Sequence, residues 1–158
     1  MKPLAALRGF LEQHFPNTTR EEMWCTCGAA NHVRFLFFLV DNRLAVAVVP
    51  EGARVDAGDM AEAINAKTVQ PVAVNDLDAA FAESELGRTQ PFDNPFGMHV
   101  FFDERLRECD ELVFCPRMFF GKEGECFRAP TQEFIELVRP VVLPLSTLVY
   151  AHADDWAV

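Results

Sequence analysis

The sequence predicts an α/β domain with a mixed, mostly antiparallel central sheet or partial barrel surrounded by helices. Three observations predict it. Two short apolar runs, Val33 to Val40 and Leu44 to Val49, stand back to back across the polar turn Asp41-Asn42-Arg43, as a hairpin with both faces buried would. Segments with helix signals alternate with further apolar runs, the pattern of helices packed on a sheet. The 158 residues, 50% hydrophobic and 24% charged, suit one domain with a proper core.

The elements follow in chain order. Pro3 to Phe15 reads as an amphipathic helix with Leu4, Leu7, Leu11 and Phe15 along one face, and Pro3 suits its first turn. Pro16-Asn17 ends it, and Thr19-x-x-Glu22 fits a capping box for a short second helix. After the hairpin, Pro50-Glu51-Gly52 closes the unit. Asp56 is placed to cap a helix from Ala57 to Ala66, with Met60 and Ile64 inward. Val72-Ala73-Val74 reads as a short strand. Asp76 caps a helix from Leu77 to Leu86, which Gly87 stops.

Met98 to Phe102 reads as a buried strand, Asp103 to Asp110 as a charged turn or one-turn helix, and Leu112 to Cys115 as a strand. Phe119-Phe120 and Cys126-Phe127 flank a Gly-bounded hairpin loop, Gly121 to Glu125. Pro130 opens a last helix, Thr131 to Arg139, with Phe134, Leu137 and Val138 on its apolar side. The apolar segment Val141 to Tyr150 is expected to dock on the domain; a dimer contact or a junction to a partner are the alternatives.

Composition narrows the function classes. The formal charge of -10 counts against broad, nonspecific nucleic-acid binding, which Lys and Arg drive by displacing counterions. A site that grips only the end of an RNA remains compatible with it. The longest apolar run, Phe35 to Val40, is far too short to span a bilayer, and the N-terminal residues lack a signal-peptide core. A cytoplasmic location without membrane attachment is the expectation. Five cysteines, an odd number without a secretory signal, suggest reduced thiols. Cys25-x-Cys27 has no second pair at metal-ligand spacing, so neither a metal nor a cofactor is expected.

Two stretches stand out as candidate site. In Pro91-Phe92-Asp93-Asn94-Pro95-Phe96-Gly97, two prolines four apart fix φ at two points of one loop. Asp93 and Asn94 favour turns, and Gly97 opens conformations closed to other residues. A stiff loop entering a core strand is a good place to hold a small ligand; an ordinary connection is the plainer reading. Arg34 is a fixed cation at the start of an apolar strand. It must reach solvent, pair with an acid, or serve a ligand. His99, the imidazole nearest the loop, is expected in a core or edge role. No nucleophile elbow, His-Glu-x-x-His or phosphate loop is present.

Pro91-x-x-x-Pro95-Phe96-Gly97, followed by Val100-Phe101-Phe102-Asp103-Glu104-Arg105-Leu106, resembles the Gly-x-x-x-Pro-[Phe/Leu]-Gly loop and strand of the YbaK/prolyl-tRNA-synthetase-associated domain family. The resemblance runs from about Val33 to about Val138. It implies a domain over residues 1–140; the hydrophobic C-terminal extension, 141–158, lies beyond it, and a homodimer or a partner could attach there. It implies a deacylase that hydrolyses the ester of mischarged aminoacyl-tRNA, gripping the acceptor end.

Carried over by position, Val33 to Phe38 resembles the family's Lys-Thr-Leu-Leu strand, which places Arg34 where the catalytic lysine stands. Asn94, Pro95, Phe96 and Gly97 match the substrate-binding loop. Pro91 falls at its opening glycine and removes one N–H. Cys115 falls where a small polar residue is common and would wall the pocket. Arginine stays protonated, so Arg34 cannot be a general base, although its fork of donors can bind a phosphate or orient a carbonyl. An activated ester needs little more: a held carbonyl, amides facing the developing oxyanion, and a water. The alternatives are a noncatalytic aminoacyl-tRNA or nucleotide-binding module with a degenerate site, and an interaction domain working through the tail.

Overall fold

The computed structural model describes residues 3–15, 17–19, 32–50, 53, 55–83, 98–114 and 125–145. The chain opens with helix α1 (Pro3–His14), whose residues Phe10 and Leu11, with Phe15 just beyond, are buried. Strand β1 (Asn17–Thr19) follows directly, so Thr19 ends a strand; the helix expected after it lies outside the described residues, as does Cys25-x-Cys27.

Strands β2 (His32–Val40) and β3 (Arg43–Pro50) form the expected hairpin. Its turn is tighter than the sequence reading, because Arg43 already pairs with Val40. The two turn residues, Asp41 and Asn42, both have positive φ, 48° and 66°, which matches the twist of a two-residue hairpin and explains an Asp-Asn pair there. Asp41 Oδ1 also accepts from the backbone N–H groups of Lys67 and Thr68 at 2.9 Å, tying the turn to the next connection.

Helix α2 (Ala57–Ala63) is capped by Asp56, whose carboxylate accepts from Asp59 N at 2.9 Å. It stops three residues earlier than expected: Ile64 is the C-cap, and Asn65 takes φ 57°. The strand expected at 72–74 is instead β4 (Val69–Val72), followed by a 3-10 turn, Val74–Asp76. Helix α3 (Leu77–Glu83) begins where Asp76 predicts; Leu86 and Gly87 lie outside the described residues. Strand β5 (His99–Asp103) leads into a 3-10 turn, Glu104–Glu108, capped by Asp103 through Arg105 N at 3.1 Å. Then come β6 (Glu111–Phe114), β7 (Glu125–Pro130), helix α4 (Thr131–Val138) and β8 (Val141–Leu143). Arg139 ends α4 in the left-handed region, φ 54°.

The strands form one mixed sheet in the order β1-β7-β6-β2-β3-β5-β8, with β4 on β2. β2–β3, β2–β4, β6–β7 and β1–β7 are antiparallel; β2–β6, β3–β5 and β5–β8 are parallel. The apolar residues at 141–143 are thus a strand of the sheet, and Leu145 beyond them is buried. One face of the sheet meets α1, α3, α4 and the second 3-10 turn in a core rich in phenylalanine: Phe35, Phe37, Phe102, Phe114, Phe127 and Phe134. The other face meets α2 and Leu145 in a smaller core built on Ala45, Ala47 and Val49, with Met60 and Phe38. Among the described residues no helix is long and apolar enough to cross a membrane.

Candidate functional site

The sheet forks at Arg34. The edge of β2 away from β3 is shared between two strands: β6 takes His32 and Val33, and β4 takes Phe37 to Val40. Arg34, Phe35 and Leu36 lie between the two ladders. Alternation sends Val33, Phe35 and Phe37 into the larger core, and Arg34, Leu36 and Phe38 to the α2 face. Arg34 is half-buried, and its Nη2 donates to the carbonyl oxygen of Ala53, just after β3. That bond fixes the end of the guanidinium through one of its five donors.

Register places the other polar groups. Arg34 pairs with Val49, and Asp103 follows Phe102 as Val49 follows its partner Val48. Asp103 is fully buried and shares the face of Phe101, so a carboxylate stands two strands from Arg34, about 10 Å across the sheet. His32, also buried, precedes Arg34 by two residues and shares its face.

His99 sits on the same face but level with Ala45, four residues along β3 from Val49, so it stands about 16 Å from Arg34. This is too far for it to serve a carbonyl held at the guanidinium. Half-buried, it stacks on Phe101 at a centroid distance of 6.4 Å. Burial, and then the Arg43 guanidinium, push its pKa below the ordinary histidine value. Cys109 is partly buried, and burial together with Glu108 and Asp110 raises its thiol pKa, away from a reactive thiolate. Among the described residues no group of three His, Cys, Asp or Glu could hold a metal.

Of the expected site residues, Arg34 is described; Asn94, Pro95, Phe96, Gly97 and Cys115 lie outside the described residues. Their neighbours are informative. Phe114 pairs with Val33, one residue before Arg34 in the register. Met98, which follows the loop, is buried beside the start of β5, the end of the sheet away from Arg34. It is five residues along the strands and two strands across from Arg34, about 19 Å.

His32 and Asp103 were not singled out from the sequence. The signal was parity: each is a polar residue in or ending an apolar strand, on the same side of the sheet as Arg34.

Solved structures similar to this chain share its fold at low identity. One is a "putative trans-editing enzyme for prolyl tRNA synthetase", with TM-score 0.60 and 17% identity over 92% of this chain and 98% of that one. A scaffold protein used for computational epitope grafting has TM-score 0.59 and 18% identity, over 92% and 97% of the two chains. A "putative signal transduction protein" from Marinobacter aquaeolei VT8 has TM-score 0.59 and 11% identity, over 89% of this chain and 30% of that one. No curated protein matches by sequence. Residues 19–128, which span β2 to β6 and hence both Arg34 and the Pro91 loop, match the aminoacyl-tRNA editing domain. A sheet of this topology with that match over most of its length identifies the chain as a member of the aminoacyl-tRNA editing domain family.

Proposed function

We propose that this protein hydrolyses the ester of mischarged aminoacyl-tRNA, acting in trans on the acceptor end. The observation that carries the reading is Arg34: a cation of the editing-domain sheet, anchored on Ala53 at the point where the sheet forks. Water attacks the ester carbonyl carbon while a neighbouring hydroxyl of the substrate ribose accepts from the water and relays its own proton towards the ester oxygen. The oxyanion that develops is met by donors, the guanidinium of Arg34 and backbone N–H groups of the segment Asn94 to Gly97. Collapse breaks the bond between the carbonyl carbon and the ribose oxygen, which takes the proton. Free amino acid and uncharged tRNA leave. Arg34 holds and polarises; it transfers no proton. Cys115 and Phe96 would wall the amino-acid side of the pocket.

The acidic chain fits this partner if contact is confined to the acceptor end. Incubating the protein with Ala-, Ser- and Cys-charged tRNA tests the proposal. Release of amino acid from at least one, cut about 100-fold by Arg34→Ala and less by Arg34→Lys, is expected. A second reading, a binding module without turnover, is favoured by one observation: the guanidinium already serves the backbone of Ala53. Binding of charged tRNA with no release from any of them would select it.

A further inference from the structure

We infer that His32 is a positioning residue for Arg34, and that its neutral form keeps the guanidinium seated at the fork. His32 is 2% exposed, lies on β2 two residues before Arg34, and points to the same face. Side chains two apart on a strand start about 7 Å from one another. His14 is on α1 and exposed, and His99 is at the far end of the sheet. Among the described residues, His32 is therefore the one imidazole beside Arg34.

The surroundings set the sign. Among the described residues, the charged groups on this face near His32 include Arg34 on its own strand, Glu111 on β6 and Arg128 on β7, with Asp103 two strands from Arg34 on β5. β3 contributes Val49 here, and α2 faces the sheet with Met60. Glu111 is already engaged by Arg128, at 2.7 Å between Oε1 and Nη2. Protonating His32 would set a second cation beside Arg34 in a buried place, where repulsion is little screened. The guanidinium stands on the longer stem, at the half-exposed position, so it is the group that would leave Ala53. The face would then lose the donor that orients the substrate carbonyl.

The test has two arms. The first uses the unaltered protein and does not depend on turnover: an NMR titration from pH 8.5 to 5 follows the His32 imidazole and the Arg34 Nε–H resonances. The two are expected to move together with one midpoint. An Arg34 signal that stays fixed while His32 titrates would overturn the inference. The second arm rests on the deacylase reading and measures release of amino acid across the same range. Activity should drop about tenfold on the acid side with kcat affected more than KM, and His32→Gln should flatten that limb. A His32→Gln protein, folded by circular dichroism, with an unchanged acid limb would also overturn the inference. Absence of turnover in the unaltered protein at every pH would overturn the deacylase reading, leaving the first arm to decide the role of His32.

Discussion

The two faces of the sheet are built on opposite rules. On the face under α1, α3 and α4, every described residue of the central strands is apolar: Val33, Phe35, Phe37 on β2, Leu44, Val46, Val48 on β3, Val100 and Phe102 on β5. On the α2 face the same strands carry His32, Arg34, His99 and Asp103 among Ala45, Ala47 and Val49. One face is filled with large rings in mutual contact, such as Phe114 and Phe134 at 5.2 Å. The other has small side chains on its middle strand and polar groups on both sides of it. The fold rests on the first face, and the second carries the polar groups of the central strands.

Substitutions can break or sharpen this contrast. Phe102→Ala on the ring-filled face is expected to cost about 3–5 kcal/mol in urea unfolding, because its neighbours cannot collapse fully into the void. Catalysis by the fraction that stays folded should be intact. Arg34→Ala on the other face should do the reverse, lowering kcat/KM for deacylation about 100-fold while moving the unfolding free energy by about 1 kcal/mol, the worth of its bond to Ala53. Equal effects of the two changes on activity would erase the distinction.

Ala47→Leu probes how full the α2 face is. Ala47 is fully buried between Leu36 and Phe101, so the added atoms should cost about 1–3 kcal/mol if that layer is closely packed. No loss in a thermal melt would mean that the layer under α2 has space to spare.

The smallest effect concerns His99. Burial first, and Arg43 second, lower its pKa in the folded protein. The unfolded chain therefore binds more protons in the window below 6.5, the ordinary value, and down to the folded one. Its contribution is fully present above pH 6.5 and is lost as the pH falls through that window. The half-exposed ring makes the change small. Urea midpoints at pH 8 and pH 5 should differ slightly less in His99→Gln than in the unaltered protein.

Local chemistry made much of the fold legible. The Asp41-Asn42 turn, the Asp56 cap and the apolar runs of β2 and β3 are signals confined to a few neighbouring residues. β1 and β8 were not legible as strands, because what makes them strands is pairing with β7 and β5, far away in sequence. β4 was misplaced by three residues: Pro71 and the polar Gln70 hid a strand, and both are tolerated at an outer position of the sheet. At the site, Arg34 was visible because a charge in an apolar run has to be explained. Asp103 and His32 were not, since each borders its strand and reads as the start of a loop. Their meaning appears once register lines them up with Arg34.

The pairing of β8 with β5 has a practical side. A chain cut after Arg139, where the resemblance to the family fades, would strip Val141–Leu143 from the outer rim of β5 and remove Leu145 from the smaller core. The bared rim would offer its amides and carbonyls to any passing chain. Such a truncated protein is expected to aggregate on expression, and a version ending beyond Leu145 to stay in solution.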